Sequence, residues 1–188
     1  VKRLQQAGLQ VMGGFIVGFD NDTPTIFQRQ IDFIQQSGIV TAMVGLLQAP
    51  YGTKLYERLK SEGRLVEEMS GDNADGTTNI ISRMDPETLK FGYRDLVQQL
   101  YGPRLFYERV RNFLSEYNPP SASVHLELQE IGAFFRSIWY LGILGKDRRE
   151  YWSLFFWTLF KYPKKFALAI TFSIYGFHFR RVSELNGI

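Results

Sequence analysis

Two apolar runs of strand length, residues 9–19 and 39–47, are separated by a segment in which apolar residues recur every three or four positions. Pro24 and Gly38 bound that segment, and they are typical residues for the start and the stop of a helix. Strands that are almost free of charge are usually paired in parallel and covered on both faces. The pattern therefore predicts a parallel β-α-β unit over residues 9–47, with both faces of its sheet buried.

Helical spacing dominates the second half of the chain, and we predict that residues 85–185 are essentially all helical. Asp85 and Pro86 have the residue types of a helix cap and a first turn, while Gly102 and Pro103 interrupt the apolar stripe. The first two apolar stripes comprise Leu89, Tyr93, Leu96, Val97 and Leu100, then Phe106, Val110, Phe113, Leu114 and Tyr117. A third stripe comprises Val124, Leu128, Ile131, Phe135, Ile138, Trp139 and Gly142, before Gly145 ends it.

Two further helices are predicted near the C-terminus. Asp147 and Glu150 have the spacing of a capping box, and the segment that they open is apolar on nearly all sides over residues 151–160. Pro163 begins the last helix. Its uncharged stretch, residues 166–179, is 14 residues long, whereas a membrane-spanning helix needs about 20. We therefore predict no transmembrane helix.

Both predicted strands end in turn-forming segments, which makes the loop at residues 18–23 the first candidate for a ligand site. The carboxyl ends of parallel strands are where open α/β sheets and barrels bind ligands. Asp20, Asn21 and Asp22 are most simply a turn and a helix cap. A short helix is predicted to follow the second turn, at residues 49–53.

The longest predicted loop, residues 70–79, is polar and contains glycine. An EF-hand reading fails, because Gly71 and Ser82 occupy the first and last ligand positions. The segment from Asp72 to Thr78 is then either a solvated connection or a loop that touches a substrate or a cofactor.

The composition excludes several kinds of covalent and metal-binding chemistry for these residues. The 188 residues include no cysteine and only two histidines, so these residues supply no disulfide, no thiolate ligand for zinc or iron–sulfur clusters and no histidine-rich metal site. The net charge is only +3, and its basic excess is C-terminal: residues 118–188 hold nine Lys and Arg against five acidic residues, with 16 of the 29 aromatic residues. Basic residues that flank apolar blocks, without forming a stripe, argue against nucleic-acid binding.

We predict three regions: residues 1–68 with the β-α-β unit and the following helix, residues 69–117 with the polar loop and two helices, and residues 118–188 as an aromatic-rich, basic helical region. The first eight residues resemble the end of a helix that starts upstream, with Gly8 as its stop. We therefore expect the chain to be part of a longer protein.

The segment from Gly14 to Asn21, GFIVGFDN, resembles the G-x-I-x-G-x-x-E pattern on the fifth strand of radical S-adenosylmethionine (SAM) enzymes. The segments DTPTIFQRQIDFIQQSGI, VGLLQAPYGTKLYERLKSEGRL and SGDNADGTTNII resemble the end of the radical SAM barrel and an uncharacterised C-terminal domain of cobalamin-binding radical SAM proteins. That group includes the hopanoid C-2 methylases. The resemblance covers nearly the whole chain and is most specific over residues 12–117.

The resemblance implies a fold: α/β plus all-α, the C-terminal portion of a radical SAM partial (β/α) barrel followed by a helical domain. It implies that Gly14 and Gly18 let the backbone approach SAM and that Ile16 packs on adenine, with Pro50, Gly52 and Thr53 nearby. Asn21 replaces the glutamate of the pattern, so an amide stands where the pattern has a carboxylate.

The implied cofactors of the parent protein are SAM, a [4Fe–4S] cluster and cobalamin. The implied reaction is cleavage of SAM to a 5′-deoxyadenosyl radical, hydrogen abstraction from a carbon and methyl transfer from cobalamin. The cluster-binding cysteines belong to the N-terminal half of the barrel, so the implied partners are that half and a cobalamin-binding domain. The chain alone is then expected to hold no cofactor, to be inactive and to bind SAM weakly or not at all.

The aromatic, basic helices admit three interpretations: a helical core, which we favour for most of the aromatic residues, a pocket wall for an apolar or lipid substrate, or a membrane-interface surface. In the last case Lys164, Lys165, Arg180 and Arg181 would face anionic lipid. Residues 151–160 are expected to expose part of their apolar surface. The implied location is cytoplasmic or membrane-peripheral. The alternative function is a non-catalytic helical module that binds a protein or a membrane.

Overall fold

A computed structural model describes residues 1–66, 76–119, 128–185 and 187, with only the backbone for residues 128–130. Within these ranges the elements, in chain order, are α1 Lys2–Gln6, β1 Gly13–Val17, α2 Thr25–Ser37, β2 Ala42–Leu46, α3 Lys54–Ser61, α4 Pro86–Tyr101, α5 Pro103–Glu116, α6 Leu128–Ser137, a π-helical segment Ile138–Ile143, α7 Arg148–Lys161, a 3₁₀ turn Pro163–Lys165 and α8 Phe166–Leu185. This is a mixed α/β plus helical fold.

The predicted β-α-β unit is confirmed. Strands β1 and β2 pair in parallel, with Gly14 opposite Met43 and Ile16 opposite Gly45. Helix α2 lies between them in the chain, and it begins where Ile26 N–H donates to Thr23 C=O at 2.9 Å.

The expectation that both sheet faces are buried is wrong for one face. Val17, Ala42, Val44 and Leu46 are buried, but Ile16 and Met43, on the opposite face, are about half exposed. A Cβ placed on Gly14 would meet no atom within 4 Å, so the face is open at Gly14, whereas Gly45, opposite Ile16, is buried. An apolar face without a packing partner remains open to a ligand or to another part of a larger protein.

The described residues form two compact units. The first comprises residues 1–12, 34–41 and 101–182, and the second comprises residues 13–33 and 42–100 with the C-terminal residues from 183 onward. The three regions predicted from the sequence remain a prediction. We refer to the first as the helical unit and to the second as the sheet unit.

In the sheet unit, α4 supplies side chains that contact the loop and strand backbones. Tyr93 donates its hydroxyl to Val44 C=O at 3.1 Å. The predicted cap of this helix is confirmed, since Asp85 Oδ2 accepts from Thr88 N–H at 2.8 Å, and this bond lowers the pKa of Asp85. The apolar stripe predicted for α4 is buried throughout.

In the helical unit, α5 presents its predicted stripe to the core, and all five residues of that stripe are buried. Phe113 packs edge-on against Phe172 of α8, with ring centroids 5.3 Å apart. Lys165 donates to Leu114 C=O near the C-terminal end of α5 at 2.6 Å. The prediction that residues 85–185 are essentially all helical is thus confirmed for the residues that the structure describes.

Among its described residues, the third apolar stripe is buried only at its end, at Gly142, and most of it does not pack as a core face. Ile131, Phe135 and Trp139 are exposed, while Ser137 and Leu141 are buried. Other positions of α6, Phe134 and Ser137, contact α7 instead. Phe134 contacts Phe155 of α7 at 6.2 Å between centroids, and the Ser137 hydroxyl lies 3.0 Å from that of Tyr151. Val124 lies outside the described residues.

The capping box predicted at Asp147 and Glu150 is wrong in its chemistry, although a helix does begin there. Asp147 occupies the N-cap position without a side-chain cap bond. Its carboxylate instead forms an ion pair with Arg180 of α8. Among the described helices, none is both long enough and apolar enough to cross a bilayer.

Candidate functional site

The open face of the sheet holds two of the candidate residues. Gly14 and Ile16 lie on the uncovered side of β1, and Ile16 is 47% exposed. Met43 stands beside them on β2 and is also exposed. The three residues form a shallow apolar surface on which a flat ring could lie against the strand backbone.

Gly18 has a conformational reason to be glycine. Its φ is +102°, a region that side chains rarely adopt, and a Cβ there would lie 3.5 Å from Leu89. Its N–H donates to Asp22 Oδ2 at 2.9 Å, and Phe19 N–H donates to the same oxygen at 2.9 Å. Asp22 therefore forms the turn after β1, as predicted, while Asn21 beside it is exposed.

The turn after β2 is built by the candidate residues themselves. Thr53 donates its hydroxyl to Pro50 C=O at 2.7 Å and accepts from Tyr56 N–H at 3.2 Å, so it caps α3. Gly52 has a φ of +80°. Pro50 and Gly52 are exposed, which leaves the tip of the turn accessible.

Asp20 ties the turn after β1 to α3 and to the segment that follows α3, a role beyond the turn that its residue type predicted. It accepts from Arg64 at 2.7 Å and from Arg58 of α3 at 2.9 Å. The side chains of Asp20 and Arg64 are only 15% and 14% exposed. The hydrogen bond from Arg64, aided by the one from Arg58, lowers the pKa of Asp20 to about 2.

Asn79 is the second residue whose role was missed. Its buried amide accepts from Ala49 N–H at 2.8 Å and donates to Ala49 C=O at 3.0 Å. Thr78 donates to Leu47 C=O at 2.6 Å. These bonds hold the segment between β2 and the Pro50 turn extended. Residues 70–75 of the predicted polar loop lie outside the described residues.

The ion pair of Asp20 makes a testable contribution to stability. In the unfolded chain its pKa is near 3.8, so the pair is fully stabilising above about pH 4 and is lost as the pH falls towards 2. We expect Asp20→Asn to lower the free energy of unfolding by about 1 kcal/mol at pH 7, after allowance for solvent screening. The difference in free energy of unfolding between Asp20→Asn and wild type should vanish near pH 2.

Urea titrations of both proteins at several pH values measure this difference. Asp32→Asn is the matched control, because Asp32 accepts only an exposed bond from Gln28 on the same helix. An Asp20→Asn loss that is the same at pH 2 and pH 7 would contradict the ion-pair explanation.

The arrangement defines a class of site: the carboxyl edge of a parallel β-α-β unit, with an open apolar strand face and two braced loops. The described residues contain no group of three His, Cys, Asp or Glu side chains that could hold a metal ion. The open strand face at Gly14 and Ile16 and the exposed turn at Pro50 and Gly52 offer backbone and apolar contact.

Comparison with known proteins places the chain in a family. Residues 53–186 match the family described as "Domain of unknown function (DUF4070)". The chain belongs to this family, because the match covers well over half of its length.

Two curated relatives match a larger part of the chain than the family model does. The chain is 30% identical over 190 residues to an uncharacterized methyltransferase of Synechocystis, covering 98% of the chain and 35% of that protein. It is 28% identical over 160 residues to the hopanoid C-2 methylase of Rhodopseudomonas palustris, covering 81% of the chain and 29% of that protein. The chain thus spans about a third of the length of these relatives. No solved structure gives a significant match.

Proposed function

We propose that this chain is the C-terminal part of a cobalamin-dependent radical SAM methyltransferase with an apolar substrate, and that its β-α-β unit is the end of the radical SAM barrel. The names of the two relatives, both methylating enzymes, support the reaction class. The observation that carries the proposed site is the uncovered strand face at Gly14 and Ile16.

The residues present fit the adenine side of SAM. The space above Gly14 is free, Ile16 offers an apolar surface, and the exposed turn at Pro50 and Gly52 borders the same edge of the sheet. When bound in an enzyme of this class, SAM supplies the reactive radical. The role of these residues is to hold the adenine flat on the strand and to exclude water.

The residues present do not fit an iron–sulfur cluster, because the chain has no cysteine. The cluster ligands and the cobalamin site would come from the N-terminal barrel half and a further domain of the parent. Reading the gene upstream of Val1 for a C-x-x-x-C-x-x-C motif tests this at once. Absence of the motif would favour the alternative of a non-catalytic helical module.

The SAM site has a sharp mutational test in the full-length protein. We expect Ile16→Asp to weaken SAM binding at least tenfold, about 1.4 kcal/mol, because a charged group replaces the apolar surface under the adenine. Gly14→Val should have a similar effect by filling the open space. Calorimetric titration of SAM into the reconstituted protein measures both.

The matched control is Ile81→Asp, since Ile81 is 47% exposed, as Ile16 is, and belongs to neither β1 nor β2. Equal SAM affinity in Ile16→Asp, Ile81→Asp and wild type would contradict the assignment. The chain by itself should bind SAM weakly or not at all; a dissociation constant below about 10 μM, roughly −7 kcal/mol, would mean that the missing half of the site is wrongly assigned.

The apolar substrate rests on the aromatic composition of residues 118–188. Substrate profiling of the full-length protein checks it. Turnover of polar small molecules alone would count against a lipid-like substrate.

A further inference from the structure

The helical unit carries a large exposed apolar surface on α6, the π-helical segment and α7. We call it the aromatic face, and it consists of Ile131, Phe135, Trp139, Ile143, Phe156 and Phe160. Trp139 is 54% exposed and Phe160 is 80% exposed. Single exposed apolar residues are ordinary, but a group of this size on adjacent helices marks an interaction surface.

Trp152 connects the backbone of the π-helical segment to the exposed rings of α7. Its indole N–H donates to Gly142 C=O at 2.9 Å, which places Trp152 in the seam between the π-helical segment and α7. Trp152 stacks on Phe156 at 5.5 Å, and Phe156 stacks on Phe160 at 6.3 Å, measured between ring centroids. The rings therefore run in one line from the seam along α7.

Positive charge borders the aromatic face. Residues 131–166 contain seven Lys and Arg against two acidic residues, and one of the acidic residues, Asp147, is paired with Arg180. The exposed cations of this segment are Arg136, Lys146, Arg148, Arg149, Lys161 and Lys164.

This set of exposed cations differs from the set that the sequence predicted would face anionic lipid. Lys165 is directed to Leu114 C=O, and burial lowers the pKa of its amine. Arg180 is engaged by Asp147. Neither residue is then available to a lipid, whereas Lys161 and Lys164 are exposed beside Phe160 at the end of α7.

We infer that the aromatic face docks onto an anionic membrane surface. Exposed apolar rings enter the boundary between headgroups and acyl chains, while the surrounding cations meet anionic headgroups. Tryptophan and tyrosine, which have an apolar body and a polar edge, suit this boundary, and Trp139 and Tyr140 are both exposed. The net positive border favours a bilayer as the occupant over an apolar partner surface.

Co-sedimentation of the full-length protein with vesicles tests the inference. We expect binding to phosphatidylcholine vesicles that contain about 30% phosphatidylglycerol, and binding weakened at high salt, where the Debye length falls to about 3 Å at 1 M. Phe160→Ser should weaken the partition coefficient about tenfold. Lys161→Gln with Lys164→Gln should weaken it about thirtyfold, at about fivefold for each lysine.

Matched controls come from the sheet unit. Phe91→Ser removes an aromatic ring that is 62% exposed, and Lys54→Gln with Lys60→Gln removes two exposed cations. Both variants should bind vesicles as wild type does. As a second readout, brominated lipid should quench the tryptophan fluorescence of the wild type by a larger fraction than that of Trp139→Phe.

Several results would overturn the inference. One is that the full-length protein does not co-sediment with anionic vesicles, which would follow if another part of the protein covers the aromatic face. A second is an equal loss of binding in Phe91→Ser and Phe160→Ser. A third is self-association in the absence of lipid that Phe160→Ser abolishes, which would identify a second copy as the occupant.

Discussion

Arg109→Ala is expected to lower the free energy of unfolding of the helical unit by about 3 kcal/mol. Arg109 is fully buried, and its guanidinium donates to Gln35 Oε1 at 2.6 Å and to Val40 C=O at 3.4 Å. It also lies 5.3 Å from the centroid of the Phe106 ring. Alanine would leave a cavity and would remove the donors from one partly buried acceptor, Gln35 Oε1, and one buried acceptor, Val40 C=O.

The charge of Arg109 is maintained at neutral pH. Burial lowers its pKa to about 10, which is still well above 7. Arg109→Met keeps most of the volume and the contact with Phe106 but removes the donors, so we expect a smaller loss of about 1–2 kcal/mol. The difference between the two variants separates packing from hydrogen bonding.

Urea unfolding followed by tryptophan fluorescence measures these losses, because all three tryptophans lie in the helical unit. Arg111→Ala is the control, since Arg111 makes an exposed bond to Ser153, and its effect should be within about 0.5 kcal/mol. Equal effects of Arg109→Ala and Arg111→Ala would contradict the importance of the buried guanidinium.

Gly176→Ala is the second variant with a large expected effect. A Cβ at this position of α8 would lie 2.3 Å from Phe106 Cε1 and 2.6 Å from its Cζ. The ring has little room to move, because Phe106 is buried and packs against Tyr101 and Tyr107. Overpacking costs about 1–3 kcal/mol or more, which outweighs the gain of up to about 1 kcal/mol in helix propensity.

We expect a net loss of about 2 kcal/mol, and therefore a melting temperature lower by roughly 4–8 °C. The matched control is Gly132→Ala in α6, where the nearest atom to the new Cβ is the flexible Arg136 Nη2 at 4.0 Å. That variant should be neutral or more stable than wild type, since only the propensity term applies. Destabilisation of the same size in both variants would show that the contact with Phe106 is not the cause.

Arg109 and Gly176 act on the same ring, so their effects should not add. Arg109→Ala opens space beside Phe106, and the ring can then yield to the extra methyl group of Gly176→Ala. A double-mutant cycle should give a coupling energy of about 0.5 kcal/mol or more. Additive losses would mean that the ring does not connect the two sites.

Much of the local structure was predictable because its causes are local. Asp85 and Pro86 start α4, Gly102 and Pro103 separate α4 from α5, and the two charge-free runs pair in parallel, all as the residue types indicate. Caps, breakers and apolar periodicity act within a few residues, so one sequence is sufficient to read them.

The candidate site was only partly predictable. Asp22 forms the expected turn after β1, whereas the ligand roles of the strand glycines and of the Pro50 turn stay predictions. Asp20 looked like another turn residue, because the arginine that binds it most closely is 44 positions away in the chain. The role of Asn79 in the polar loop was not predicted for the same reason, since its partner Ala49 is 30 positions away.

The sequence by itself determined the order and type of the elements and the edge of the sheet where the loops lie. Only the tertiary structure decided which surfaces are covered and which charges pair. It buries Arg109, leaves the apolar Ile16 and Trp139 exposed and pairs Asp147 with Arg180. The physical reason is that periodicity shows that a face is apolar, whereas its burial depends on which distant side chains happen to reach it.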